Sequence, residues 1–218
     1  MYIIANNFSK ANNFSYDIHG LILMLMILFT HVPYLRCMTT LSVPSIADRL
    51  TAAIRTVPDF PQPGILFKDI TPIFLDWQLC SDIAGSLIAR LPYPPDAVCV
   101  VESRGFLIGM LIAHRLKVPL IPVRKKGKLP AETRAFSYTL EYGSATLEIH
   151  RGVIQPGWKV LIHDDILATG GTAMAAAELV LAEGGYVAGF AFIAELGFLS
   201  GRDKISGYTD HIVSIFSY

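Results

Sequence analysis

The sequence predicts an α/β fold with a mostly parallel central sheet flanked by helices. Three observations support this. Short apolar runs alternate with helix-like segments, the order that builds parallel sheets. One of these runs, residues 97–101, is unbroken and rich in valine, as a strand buried on both faces is. The composition, 52% hydrophobic and 17% charged over 218 residues, supplies a full core and excludes wholesale disorder.

The elements follow in order. Residues 44–55 read as a helix, with Ser45 as N-cap and Asp48 in its first turn. Pro58, Pro61, Pro63 and Gly64 then break regularity. Residues 77–91 read as a second helix, closed by Pro92, Pro94 and Pro95. After the strand at 97–101 come a helix at 105–117 and a strand at 118–123. Residues 135–142 and 145–150 flank Gly143-Ser144 as the arms of a hairpin. Residues 160–163 form a strand, 173–183 an Ala-rich helix ended by Gly184-Gly185, and 187–194 and 211–216 the last strands.

The first 37 residues differ from the rest. They carry the near-repeat Ala-Asn-Asn-Phe-Ser and an apolar run at 21–29, shorter than the about 20 residues that span a bilayer. As a signal peptide the segment is poor. Lys10 is its only side-chain cation before the run, Asp17 offsets it, and no clear small-x-small site follows. Met38 opens a stretch that looks like a normal cytosolic amino terminus. Residues 1–37 are therefore expected to be an atypical extension or upstream read-through, and 38–218 the working domain. A membrane anchor or targeting segment is the rival reading.

The formal net charge is zero, so no global basic field points to nucleic acid. Cys37, Cys80 and Cys99 show neither metal nor disulfide spacing and fit a reducing compartment, with Cys80 and Cys99 as buried filler.

The chemistry concentrates at residues 160–172, Val-Leu-Ile-His-Asp-Asp-Ile-Leu-Ala-Thr-Gly-Gly-Thr. An apolar run ends in two carboxylates, a small-residue turn follows, and a helix begins. Free backbone N–H groups and the positive end of a helix dipole meet at such a turn and cradle phosphate. Acids beside a phosphate cradle would repel the anion, unless the ligand is a sugar phosphate whose hydroxyls they accept. An ordinary turn with solvated acids is the plain alternative. No Gly-Lys-Ser/Thr marks a P-loop, and the G-x-G-x-x-G spacing is absent.

In parallel sheets ligands bind beyond the carboxyl ends of the strands. Two further groups fall at that edge. Glu102-Ser103-Arg104-Gly105 offers turn N–H groups and a guanidinium fork, although Arg104 could equally pair on the surface. Residues 124–128 gather four cations in five residues directly after a strand, which suits a local anion site such as pyrophosphate better than a solvated face. Phe67, in the proline-stiffened stretch 60–72, could stack on a flat base or belong to the core. The hairpin could close as a lid that excludes water, or be a plain surface hairpin.

The acidic-acidic-x-x-Ala-Thr-Gly-Gly-Thr segment resembles the phosphoribosyl pyrophosphate (PRPP) motif of type I phosphoribosyltransferases. Phe-Pro-Gln-Pro-Gly-Ile-Leu-Phe-Lys-Asp, Ser-Arg-Gly-Phe, Arg-Lys-Lys-Gly-Lys-Leu-Pro and Leu-Glu-Tyr-Gly, in this order, are similar to the series of the adenine phosphoribosyltransferase family over residues 57–195. The resemblance implies the type I fold, with a small N-terminal hood and a hairpin lid. It also implies adenine and PRPP as substrates, Mg²⁺ held mainly by substrate and water, purine salvage in the cytoplasm, and a homodimer. Neither nucleic acid nor membrane is an expected partner. It assigns Ala168, Thr169, Gly170, Gly171 and Thr172 to the 5′-phosphate, and Asp164 and Asp165 to the ribose hydroxyls. Ser103, Arg104, Arg124, Lys125 and Lys128 fall to pyrophosphate, and Leu66, Phe67 and Lys68 to adenine. Glu141 is the candidate for proton exchange with the purine, with Tyr142 beside it in the lid. Two residues depart from the pattern. His163 stands where relatives carry an apolar residue, either as a satisfied core histidine or as an electrostatic tuner of the acids. Lys68 replaces the usual arginine, keeping the charge but losing the fork. The open alternatives are another purine acceptor, hypoxanthine or xanthine, and a PRPP-sensing regulator.

Overall fold

The structure, a computed structural model, describes residues 44–139 and 144–218. The extension at 1–37, Cys37, Glu141 and Tyr142 lie outside the described residues. A seven-stranded sheet in the order β5-β6-β4-β3-β7-β8-β9 forms the centre, and a separate two-stranded sheet pairs β1 with β2. Strands β3 (Ala97–Val101), β4 (Leu120–Lys125), β7 (Lys159–Leu167), β8 (Tyr186–Glu195) and β9 (Ile212–Ser217) run parallel. Strands β5 (Thr133–Thr139) and β6 (Ser144–His150) form the expected antiparallel hairpin, and β6 is antiparallel to β4.

The helices cover both faces. Strand β3 shows how: Ala97, Cys99 and Val101 enter one core, and Val98 and Val100 the other. Strand β8 alternates likewise, with Phe190 and Phe192 on the first face and Ala191 and Ile193 on the second. The first core is closed by α4 (Gly171–Ala182), whose Ala173, Ala175, Ala176 and Ala177 let it lie close on the sheet. The second is closed by α1 (Ile46–Ala53), α2 (Trp77–Ala89) and α3 (Gly105–Leu116). Cys80 is buried in the second core and Cys99 in the first, both as free thiols.

Local signals set the helix ends. Ser45 and Asp48 form a reciprocal capping box at α1. Asp76 Oδ1 accepts the Leu79 N–H at 3.0 Å to start α2. Helix α3 ends where Lys117 turns to φ 58°. Among the described residues no helix is long and apolar enough to cross a membrane.

Three features differ from the reading of the sequence. Strand β7 does not stop at residue 163 but runs through the acid pair to Leu167. Its ladder with the long strand β8 continues, pairing Asp164 with Phe192, Ile166 with Ala194 and Leu167 with Glu195. The proline-rich stretch, read as a break, is the turn of a hairpin. Its arms are β1 (Arg55–Pro58) and β2 (Leu66–Asp69), and Gly64 N donates to Asp59 Oδ1 at 2.7 Å within it. A short helix α5 (Gly201–Ile205) after β8 was not anticipated either.

Candidate active site

The site lies at the carboxyl ends of β3, β4, β7 and β8. A cavity of about 590 Å³ is lined by Ser103, Arg104, Lys125, Asp164, Asp165, Ala168 and Thr172, together with Glu102, Phe67, Tyr138 and Leu196. The convergence inferred from topology is thus present for these residues.

The turn after β7 is built from backbone. Gly170 sits at φ 76° and precedes α4 without any side-chain cap, so the first N–H groups of the helix are not consumed internally. Residues 168–172 line a pocket of about 60 Å³, the scale of a small anion. The loop is held from behind by α5. A Cβ on Gly201 would stand 2.0 Å from the Ala168 carbonyl oxygen and 2.9 Å from the Gly170 nitrogen. Only glycine permits that approach.

The two aspartates differ. Asp165 is buried, and its carboxylate pairs with the Arg104 guanidinium. Asp164 faces the cavity, and its Oδ1 accepts the Asp165 N–H at 2.8 Å. Desolvation, together with the neighbouring Asp165 charge, pushes the Asp164 carboxyl well above the usual range. Gly105 lets α3 start against this strand, since a Cβ there would lie 3.0 Å from Asp164 Oδ1.

Behind the acids His163 is fully buried, with Nδ1 2.8 Å from the Ala191 carbonyl oxygen. Burial pulls its pKa down to about 4, against smaller opposing effects of the Ala191 hydrogen bond and the Asp165 charge. It is a neutral core histidine that donates from Nδ1, and among the described residues Nε2 has no partner.

The basic segment is arranged differently from its appearance in the sequence. Arg124 Nε and Lys128 Nζ both bond the Glu102 carboxylate, at 2.8 and 2.7 Å. Neither lines the cavity, whereas Lys125 does. Burial pushes the Glu102 carboxyl up, but the bonds from Lys128 and Arg124 outweigh it and hold it below the usual range. Backbone N–H groups of Lys128 and Leu129 donate to Glu148 on β6 at 3.0 Å each, and Thr133 Oγ1 donates at 3.1 Å.

Leu66, Phe67 and Lys68 line a second, apolar cavity of about 670 Å³, with Gly64, Ile65, Ile166, Leu196, Phe198, Leu199 and Tyr218. Phe67, Ile166 and Leu196 border both cavities, so the two lie side by side. Phe67 packs edge-on against Phe60 at 5.1 Å.

Several lining residues were missed. Tyr138 is buried under the loop, with its hydroxyl 3.1 Å from Thr172 Oγ1. Glu102 stood in a noted motif without a role. Leu196, Phe198 and Leu199 directly follow β8, and the strand-end rule that flagged the other groups would have flagged them. Tyr218 carried no local signal.

Residues 71–215 match the phosphoribosyl transferase domain family. An adenine phosphoribosyltransferase of Cytophaga hutchinsonii is 49% identical over 174 residues, 79% of this chain and 96% of that protein. One from Sorangium cellulosum is 52% identical over 169 residues, 77% of this chain and 84% of that protein. The crystal structure of adenine phosphoribosyltransferase from Thermoanaerobacter pseudethanolicus aligns with a TM-score of 0.75 at 44% identity, covering 80% of this chain and 100% of its own. The Saccharomyces cerevisiae enzyme, crystallised with an imino-altritol bisphosphate and adenine, aligns with a TM-score of 0.73 at 39% identity, covering 79% of this chain and 99% of its own. The chain belongs to the phosphoribosyl transferase domain family, in its adenine phosphoribosyltransferase branch.

Proposed function

We propose that the protein transfers the phosphoribosyl group of PRPP to adenine, forming AMP and pyrophosphate. One observation carries this reading. A carboxylate pair, the cations Arg104 and Lys125, and Ala168 and Thr172 of a bare-backbone loop border one cavity, which adjoins an apolar one suited to a flat base.

In this reading the N–H groups of residues 168–172 hold the 5′-phosphate. Asp164 and Asp165 accept bonds from the ribose hydroxyls, and Ser103, Arg104, Arg124, Lys125 and Lys128 serve pyrophosphate. Leu66, Phe67 and Lys68 receive the base. The bond from C1′ to the pyrophosphate oxygen breaks, a bond from an adenine nitrogen to C1′ forms, and that nitrogen's proton departs. Glu141 is proposed for the proton exchange, with Tyr142 beside it. Positive charge grows on the ribose and negative charge on the leaving group, and fixed cations stabilise the latter without reorganising.

Among the described residues no three His, Cys, Asp or Glu side chains are grouped to enclose a metal. The hard oxygen donors Asp164 and Asp165 at the cavity suit the water shell of an ion that arrives with substrate. Mg²⁺, when bound, supplies charge neutralisation on pyrophosphate. A cytoplasmic homodimer completes the proposal, and exposed Leu107 and Met110 on α3 are consistent with a subunit contact.

Incubation with PRPP, Mg²⁺ and adenine, hypoxanthine or xanthine tests the reading. AMP formation with adenine as the fastest acceptor is expected. Turnover of another base in preference, or PRPP binding without turnover, would replace it. Size-exclusion chromatography with light scattering checks the dimer.

A further inference from the structure

We propose that Tyr218 is a base-site residue, which walls the apolar cavity beside Phe67 and anchors the β1–β2 hairpin next to it. The inference rests on the reading that the base enters here and adds a residue to that site.

The backbone of Tyr218 is fixed on both sides. Its N–H donates to the Glu195 carbonyl oxygen at 2.9 Å, and its own carbonyl oxygen accepts from Gly197 N at 3.3 Å. The ring packs perpendicular to Phe216 at 4.6 Å. So held, it lines the cavity with Phe67, Lys68, Ile166 and Leu196.

Its ring face is occupied by a cation. Lys68 Nζ lies 4.6 Å from the ring centroid and donates to Thr56 Oγ1 at 3.0 Å. Lys68 is on β2 and Thr56 on β1, so one ammonium ties both arms of the hairpin to the end of the chain's last strand. Among the described residues the hairpin is a sheet of its own, with no ladder to the main sheet. Its attachment therefore depends on side chains such as these. Lysine in place of arginine at 68 still supplies the cation that this contact needs. A flat base entering beside Phe67 then meets a pocket whose two sides are held in register by the Lys68–Tyr218 contact.

Steady-state kinetics on Tyr218→Ala, Tyr218→Leu and Tyr218→Phe, varying adenine and PRPP in turn, test the proposal. Tyr218→Ala is expected to raise KM for adenine about tenfold and leave KM for PRPP within about twofold. Tyr218→Phe keeps the ring and should match the wild type. Tyr218→Leu keeps apolar bulk without a π face and should fall between, and it carries the test if the alanine variant does not fold. An unchanged adenine KM, or equal rises for both substrates, overturns the inference. If the wild type turns over another base instead of adenine, the adenine reading fails by itself. The same three variants then test Tyr218 with the accepted base.

Discussion

The two regions proposed to bind anions are built on opposite plans. The loop at 168–172 presents backbone, shaped by Gly170 and by the contact with Gly201, and no side-chain cap occupies its N–H groups. The cationic side presents side chains, three of which are already paired: Arg104 with Asp165, and Arg124 and Lys128 with Glu102. The first needs only an anion. On the proposed reading the second would have to exchange internal counter-ions for substrate oxygens, so part of its attraction would be offset by the carboxylates left behind. Grip on the 5′-phosphate should therefore depend on shape, and grip on pyrophosphate on charge balance.

The largest expected effect breaks the shape side. Gly201→Ala places a methyl group against the Ala168 carbonyl and should weaken PRPP binding about a hundredfold, measured by calorimetry, because backbone rather than a flexible side chain must yield. Binding near the wild-type value would show that the loop is not held from behind. Next comes Asp165→Asn, which removes the partner of Arg104 and a proposed ribose acceptor together. A loss of at least about tenfold in kcat/KM, about 1.4 kcal/mol, is expected.

Glu102→Gln sharpens the charge side. It weakens the clamp on Arg124 and Lys128 and should raise KM for PRPP about threefold with little change in kcat, since both cations lose their preset positions. A fall in KM would mean that Glu102 competes with the substrate more than it organises the site.

His163→Val should have the smallest effect on catalysis, with kcat/KM at pH 7 within about twofold and an unaltered pH–rate profile. Its effect lies in acid stability. The folded imidazole stays neutral down to about pH 4, while the unfolded chain takes up a proton near 6.5. The unfolded state thus binds more protons between these values, and stability falls as pH drops through that window, by up to about 3 kcal/mol. Urea unfolding at pH 7 and pH 4.5 should show a smaller acid loss for the valine variant.

Much of this was legible in the residues. The valine run 97–101, the caps Ser45 and Asp48 and the Ala-rich helix declared themselves, because periodicity and capping are local. The acid pair and the glycine turn were readable for the same reason. What escaped was set by partners distant in sequence. Strand β7 continues past His163 only because β8 is there to pair with it. The prolines at 58, 61 and 63 read as a break because a hairpin's register depends on its second arm. Arg124 and Lys128 looked like free cations, since nothing near them in sequence names Glu102 as their counter-ion. Tyr218 reaches the apolar cavity through the sheet, by a route no spacing rule encodes.

Glu148 has a mechanical consequence. One buried carboxylate on β6 takes up the backbone of Lys128 and Leu129 and the hydroxyl of Thr133. The basic segment and the stem of the β5–β6 hairpin thereby share a pivot. Any tilt of the stem would therefore have to carry the segment after Lys125 with it or break these bonds.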